Sequence, residues 1–517
     1  MKKLIPFLAL LISNSLWAQI PEDALRFSYF PQNGTARTLA IGGAMGSLGG
    51  DITATFVNPA GLGNYKSGEI VFTPGFFFNN NKVNFRNSNS SNNKNNFGLG
   101  PIGLVFGTPN RYNPGNSSAF SIAVTQTANF NNTVTYKGLN NQSSYSEQWS
   151  EEIANSNLAF DDILRQNSPY AYGSAQAVYT YLVDTIRQNG NIVLKTLPEY
   201  LLEQGKALQQ QKIIDTRGGI YEIGLGFASN NHDKILIGGT LGIPIVNLQN
   251  TTTFRESDTS ANLNNNFGSF EYVDNFKTSG AGVNLKLGII YRPQERIRIG
   301  LAMHTPTYMF SMTDRRNSSL VTNSENYTLD GTISTNSKVF NNGQEGKSKY
   351  AMLTPWKFMV SGSYVFREIE NVKRQRAFVT ADIEYVTNGS AGFYSSNEAP
   401  TADDLKYFKD LRNVISNQYK GNFNFRVGGE LKFNVFMARL GFAHYTNPYK
   451  DAALKANRTL LSGGIGYRNN GFFIDLTYVH SFNKDVDFAY RLQDKPNTFA
   501  SINNQRGNII ASVGVKF

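Results

Sequence analysis

The sequence predicts an all-β transmembrane barrel of about 14 antiparallel strands with a short N-terminal segment lodged in its lumen and partly helical outer loops. Three observations carry this expectation. Apolar and polar residues alternate through segment after segment of about ten residues, so each has one oily face and one wet face. The connections between these segments are alternately long and short, as expected when short turns lie on one side of a membrane and long loops on the other. The last such segment ends the chain on an aromatic residue, Phe517.

The elements follow in chain order. Residues 1–18 carry Lys2 and Lys3, an apolar run from Leu4 to Ile12 and a Ser-Leu-Trp-Ala stretch ending at Ala18, the pattern of a secretory signal peptide cut after Ala18. The protein is therefore expected to leave the cytoplasm. No later run approaches the roughly 20 apolar residues of a membrane helix, and the mean hydropathy is −0.34, which excludes a helical membrane protein. A barrel survives that test, because its lipid-facing and lumen-facing residues average out.

Residues 19–66 form an irregular segment whose second half is small, nearly uncharged and rich in glycine. Within it Pro59 removes an amide donor and pushes Asn58 toward extended geometry, while Gly61 and Gly63 permit positive φ. A folded-back plug is expected, with Phe56, Asn58, Pro59, Ala60, Gly61 and Leu62 at its turn. The Asn58 side chain is expected to bond groups that water does not reach.

Residues 67–517 are expected to form the barrel. In Val283–Tyr291 the odd positions are Val283, Leu285, Leu287, Ile289 and Tyr291, against Asn284, Lys286 and Gly288; Val379–Tyr385 and Phe423–Phe433 repeat the pattern. Candidate strands at 69–78, 97–107, 119–128, 219–228, 234–243, 282–292, 296–304, 356–366, 377–387, 423–432, 435–443, 459–468, 471–480 and 508–517 leave long connections on one side only. A propeller or solenoid would space its connections at a fixed period. The lumen-facing positions include many glycines, among them Gly224, Gly226, Gly238, Gly288, Gly300 and Gly428. These relieve curvature or let another backbone approach.

Most outer loops are Asn, Ser, Thr and Gly. The exception, about 149–215, places Trp149, Ile153, Phe160 and Leu164, then Val178, Leu182 and Ile186, then Leu197, Leu201 and Leu208 at helical spacing. Trp149, Phe160, Leu164 and Leu182 are its candidates for apolar ligand capture, although such stripes more often pack on each other. A further helix is expected at 401–418.

The chemistry-bearing motifs are sparse. There is no cysteine, so neither a disulfide frame nor a lipidated N-terminal cysteine is possible, and four scattered histidines argue against a metal cage. No nucleophile elbow or phosphate loop occurs. Tyr478-Val479-His480-Ser481 places His and Ser on opposite faces of one strand, so they form no dyad. The expectation is a non-enzyme with no cofactor. The net charge of +11 is spread without a basic helix, which argues against nucleic acid. Lys286, Arg298, Arg426 and Lys432 are candidates for a basic interior that would draw a carboxylate.

The stretch Gly43–Asp51 followed by Ala54-Thr55-Phe56-Val57-Asn58-Pro59-Ala60-Gly61-Leu62 resembles the N-terminal hatch of the long-chain fatty acid transporter family of bacterial outer membranes, which includes aromatic hydrocarbon importers. The family's Asn-Pro-Ala motif falls on Asn58, Pro59 and Ala60. The resemblance implies a fourteen-stranded barrel in a Gram-negative outer membrane, capture of a hydrophobic small molecule by outer loops, hatch movement and sideways release to membrane lipid. The terminal Phe517 resembles the signal read by the barrel-assembly machinery. Two departures accompany it. The third strand, Ala119–Ala128, has no proline or glycine to mark a kink, leaving Gly98, Gly100, Pro101 and Gly103 in the second strand as the alternative distortion; and the oily helices sit in the loop 129–218, where the family's ligand-contacting residues are not matched one by one. A barrel that holds secreted proteins at the cell surface is the alternative function, followed by a haem channel, through His304, His444 or His480, or a general porin.

Overall fold

The structure is a computed structural model that describes residues 21–188, 191–260, 262–329, 331–366 and 376–517; the signal peptide lies outside the described residues. Fourteen antiparallel strands close into a barrel. They are β1 (Glu69–Phe72 and Pro74–Phe85), β2 (Ser88–Leu99 and Ile102–Pro109), β3 (Ser117–Asn129 and Asn132–Asn140), β4 (Leu208–Asn231), β5 (Ile235–Asp258), β6 (Ser269–Gln294), β7 (Ile297–His304 and Tyr308–Asn323), β8 (Gly346–Leu353 and Lys357–Phe366), β9 (Ala377–Val386 and Gly392–Ser395), β10 (Asn422–Phe433), β11 (Phe436–Tyr445), β12 (Arg458–Asn469), β13 (Phe472–Phe488) and β14 (Phe499–Lys516). Closure runs between β1 and β14, with Glu69 opposite Lys516 and Phe72 opposite Val513. Beyond that pair, the Gly68 and Phe517 backbones exchange two hydrogen bonds of 2.8 and 3.0 Å.

The alternation read from sequence is the alternation of the wall. Leu287, Ile289, Leu301, Val360, Ile383 and Phe425 stand exposed on the outside, while Lys286, Ser361, Asp382 and Arg426 are buried inside. The strands are longer than the expected ten residues: β4 and β5 each run 24 residues, and β6 runs 26. On β5 the exposed apolar residues stop at Ile245. Beyond it the strand carries Asn, Thr, Arg and Glu, which suit a wall standing in water above the bilayer.

A cap built from the 141–207 insertion packs against the outer parts of the strands. Its helices are α1 (Glu147–Ser156), α2 (Phe160–Leu164), α3 (Ser174–Tyr179) and α4 (Leu197–Glu203). The expected helical run is interrupted, because Ile186 lies in a hairpin of Val183–Gln188 with Asn191–Thr196, and Leu208 begins β4. Val183, Thr185, Ile186, Val193 and Thr196 are β-branched, and their restricted χ1 favours strand over helix. The expected outer helix is present at Ala402–Gln418 and is capped by Thr401.

Tyr145, Trp149, Phe254, Phe270 and Tyr272 pack together beneath the cap, Tyr145 stacking on Phe254 at 4.3 Å. Glu256, well above the apolar belt, is buried against this cluster. Its carboxylate accepts from Ser144 Oγ (2.5 Å), Gln210 Nε2 (2.8 Å) and the Tyr145 amide (3.2 Å). Burial outweighs these bonds and pushes its pKa up to about 7. The folded protein thus keeps this proton while the opened cap, near the ordinary value of 4.5, loses it, so cap stability falls as pH rises from about 4.5 to 7. Hydrogen exchange of residues 143–149, corrected for intrinsic rates, is expected to lose roughly tenfold or more of its protection between pH 5 and 8, and Glu256→Gln is expected to flatten that dependence.

Candidate functional site

The segment from Pro21 to Tyr65 runs inside the barrel. It begins high in the lumen, where Tyr419 OH donates to the Pro21 carbonyl (3.2 Å) and Tyr29 OH donates to the carbonyls of Thr446 and Ala456 (3.0 and 3.1 Å). It ends at the opposite end, where Tyr65 precedes β1. An irregular backbone must satisfy its own amides and carbonyls, and here the inward hydroxyls of the strands supply partners. Ser512 Oγ accepts from Ala36 N (2.8 Å), Thr477 Oγ1 donates to Ala36 O (2.6 Å), Ser462 Oγ donates to Ala40 O (3.1 Å), and Ser117 Oγ donates to Gly63 O (2.9 Å).

Asn58 sits at the turn and is 1% exposed. Its Oδ1 accepts from the Ala60 amide (3.2 Å), which caps the short 3-10 turn Pro59–Asn64, where Pro59 supplies the first residue and gives up no needed donor. Its Nδ2 donates to Gly46 O (2.6 Å) and approaches Leu301 O (3.3 Å) and Ile289 O (3.4 Å) on two wall strands. Ala60, Leu62 and Phe56 are buried beside it. Gly61 O accepts from Gly50 N (3.0 Å) and pins the turn to the loop before it. Asn58→Ala removes the cap and the bond to Gly46, leaving a buried carbonyl unpaired at a cost of about 1–3 kcal/mol. The expected outcome is an assembled barrel with raised small-ion conductance in planar bilayers.

The wall makes room for this segment at inward glycines. A Cβ on Gly238 would lie 2.5 Å from the Pro59 carbonyl, and one on Gly428 would lie 2.3 Å from the Ile41 carbonyl oxygen. No side chain fits in either gap, so here glycine serves close approach.

The basic residues expected inside divide into two groups. Lys286 and Arg426 face the lumen but are compensated: Lys286 by Glu222 and the Asn284 amide oxygen (2.7 Å), Arg426 by Glu384 (3.4 Å) and Asp382 (3.7 Å). Asp382 in turn accepts from the Met45 and Gly46 amides (3.0 and 3.2 Å), tying the inner segment to the wall. Arg298 lies toward the inner end, with Nη1 donating to Leu48 O (3.2 Å), and Lys432 is half-buried near the end of β10. A carboxylate entering the lumen therefore meets Lys286 and Arg426 already paired. Lys357, which the sequence did not single out, stands differently. Its ammonium lies 5.1 Å from the Phe30 ring centre and, among the described residues, makes no ion pair. With His304, whose Nε2 is 2.8 Å from Val57 O, it lines a cavity of about 100 Å3 above Phe56. The Lys357 side chain follows Pro355-Trp356 at a strand start, and its inward alternation was the only available signal.

Nearer the inner end, Arg439 is fully buried between Glu430 (2.6 Å) and Asp475 (2.5 Å), with Arg37 of the inner segment 3.7 Å from Glu430 and Arg468 3.5 Å from Asp475. Trp149 and Leu182 are buried in the cap, and Phe160 and Leu164 pack half-buried against the same cluster.

One place in the wall is not zipped. β2 and β3 pair from Pro109 opposite Ser117 up to Ile102 opposite Val124, and there the ladder ends. Above it, Ser88–Leu99 pairs only with β1, and Thr125–Asn140 pairs only with β4. Pro101 has no amide for a continuing ladder, Gly100 N turns away to Thr73 O (2.9 Å), and a bulge at Thr127 shifts β3. The upper half of β3 tucks inward, so that Val134 and Tyr136 pack on Val83 and Phe85 of β1. Two strand edges thus overlap instead of pairing. Side chains bridge them: Asn92 Oδ1 accepts from Thr135 N (3.0 Å), and Asn129 Nδ2 donates to Asn96 Oδ1 (2.8 Å). The distortion falls on both strands, at Gly100-Pro101 and at a bulge with no proline or glycine.

No protein-family model and no curated protein matches the chain. Among solved structures, a FadL homologue of Pseudomonas aeruginosa superposes with TM-score 0.54 at 12% identity, over 95% of this chain and 100% of that one. The toluene transporter TodX of P. putida superposes with TM-score 0.53 at 13% identity, over 94% and 99%. This chain has the FadL-type barrel fold.

Proposed function

We propose that this chain is an outer-membrane channel of the FadL type for passive uptake of hydrophobic small molecules, long-chain fatty acids or aromatic hydrocarbons. Residues 19–66 act as the hatch, with Asn58 and Pro59 at its turn. The observation that carries this reading is the combination of a filled lumen with a parted seam: a molecule entering from the outer end finds its straight path occupied and a side path beside it. Sideways release suits an apolar ligand, because each methylene that passes from water to hydrocarbon gains about 0.8 kcal/mol and no energy source is needed. The cavity that Lys357 lines also holds Lys286, Arg426 and the carboxylates of Glu222 and Glu384, and the one positive charge left over favours a ligand with a carboxylate head. The cap residues Trp149, Phe160, Leu164 and Leu182 shape the outer landing surface by packing beneath it, and the strand ending on the exposed Phe517 ring suits recognition by the barrel-assembly machinery.

The test is uptake of oleate and of toluene by proteoliposomes and by a deletion strain. Faster entry of at least one with the protein present supports the reading, and equal rates for both overturn it. A second reading, a barrel that binds secreted proteins, is favoured by Ile192, Leu263 and Leu329, which stand exposed on adjoining outer loops. Copurification of secreted proteins without any uptake would select it.

A further inference from the structure

The point where β2 and β3 part is occupied by a side chain from neither strand. Asn33, on the inner segment, places its single amide nitrogen between the two edges: Nδ2 donates to Leu99 O of β2 (2.9 Å) and to Gln126 O of β3 (2.6 Å). These carbonyls lie just above the last rung, Ile102 opposite Val124. Gln126 adds a second tie, its Oε1 accepting from Leu99 N (3.2 Å) and its Nε2 donating to Tyr221 OH (3.3 Å). Asn33 Oδ1 accepts from Gly34 N (2.9 Å), which fixes which end of the amide faces the seam.

We propose that Asn33 is a positioning residue that clamps the base of the seam and links its opening to movement of the inner segment. An amide NH2 has two protons, and here one serves each edge, so that Asn33 and Gln126 together tie the two strands at this place. The clamp cannot stay in place when the segment moves, because the next residues are tied to the segment's own core. Thr35 N donates to Thr53 Oγ1 (3.0 Å), and Thr35 Oγ1 donates to Asp51 Oδ2 (2.7 Å). Displacing that core withdraws the amide and leaves two strand carbonyls facing a gap that only Gln126 spans. The seam is then held by side-chain bridges farther up and is free to widen from its base.

This inference rests on the side-exit reading, and the experiment separates the two. The sequence has no cysteine, so the pair Asn96→Cys and Asn129→Cys, across the seam, reports its width without background. Asn33→Asp, which turns an acceptor toward both carbonyls, is expected to slow oxidant-driven disulfide formation by roughly fivefold or more and to speed maleimide capture of the same cysteines. Asn33→Gln, which keeps the NH2, is expected to recover much of the parent rate. Heat-modifiable gel mobility checks assembly, and Asn33→Ala replaces Asn33→Asp if the latter does not assemble. Unchanged disulfide and maleimide rates in the assembled variant overturn the clamp. Independently, oleate uptake is measured with the 96–129 disulfide closed: uptake that persists overturns the side exit and leaves the clamp standing, whereas blocked uptake with unchanged Asn33-variant rates overturns the clamp alone.

Discussion

The double variant Gly238→Val, Gly428→Val is expected to assemble as a barrel and to conduct small ions several-fold better than the parent. Each new side chain points into space held by the inner segment's backbone, at 2.5 Å from the Pro59 carbonyl and 2.3 Å from the Ile41 carbonyl oxygen. A backbone held at many points cannot yield as the end of a flexible side chain does, and overpacking of this kind costs about 1–3 kcal/mol per site. The strands themselves tolerate valine, which favours extended backbone. The segment is therefore the part that gives way. Single-channel recordings compare the variant with one lacking residues 21–60, and the two are expected to converge. A variant that assembles yet conducts like the parent would show that the segment does not obstruct the lumen.

Arg439→Met is expected to lower barrel stability by about 3 kcal/mol or more, because it leaves the carboxylates of Glu430 and Asp475 buried without their shared guanidinium. Arg37 and Arg468, at 3.7 Å from Glu430 and 3.5 Å from Asp475, keep the loss from being larger. Since Arg37 belongs to the inner segment, this network also fastens that segment to the wall. The temperature at which the folded gel band converts to the unfolded one should fall by several degrees. Arg439→Lys, which keeps a positive charge between the two carboxylates, should recover part of that fall, since the cost comes from uncompensated charge. No recovery would mean that the guanidinium acts through packing alone.

The wall was legible in the sequence because its period is local: Val283 to Tyr291 declares two faces within nine residues. The Asn58-Pro59 turn was legible for the same reason, since cap and proline lie side by side in the chain. What escaped depends on distance. Nothing near Lys357 in sequence says that Phe30 lies beneath its ammonium, and nothing near Lys286 says that Glu222 neutralises it, so the basic interior looked freer than it is. The seam shows both cases, for Gly100-Pro101 announces a break while the bulge at Thr127 comes from packing. The cap hairpin at 183–196 was misread because Val178, Leu182 and Ile186 satisfy a helical period by chance while their β-branched neighbours favour strand.

The ring closes between Glu69 and Lys516, residues made at opposite ends of synthesis, while the segment it encloses lies immediately before Glu69. The first strand must therefore wait for the last, and residues 21–65 must either already lie among the open strands or thread afterward into a finished tube. The many ties between that segment and inward hydroxyls of β12, β13 and β14 favour the first order, in which the segment gives the late strands a surface to assemble on. A part that blocks the passage in the mature protein would then have served earlier as the mandrel around which the passage was wound.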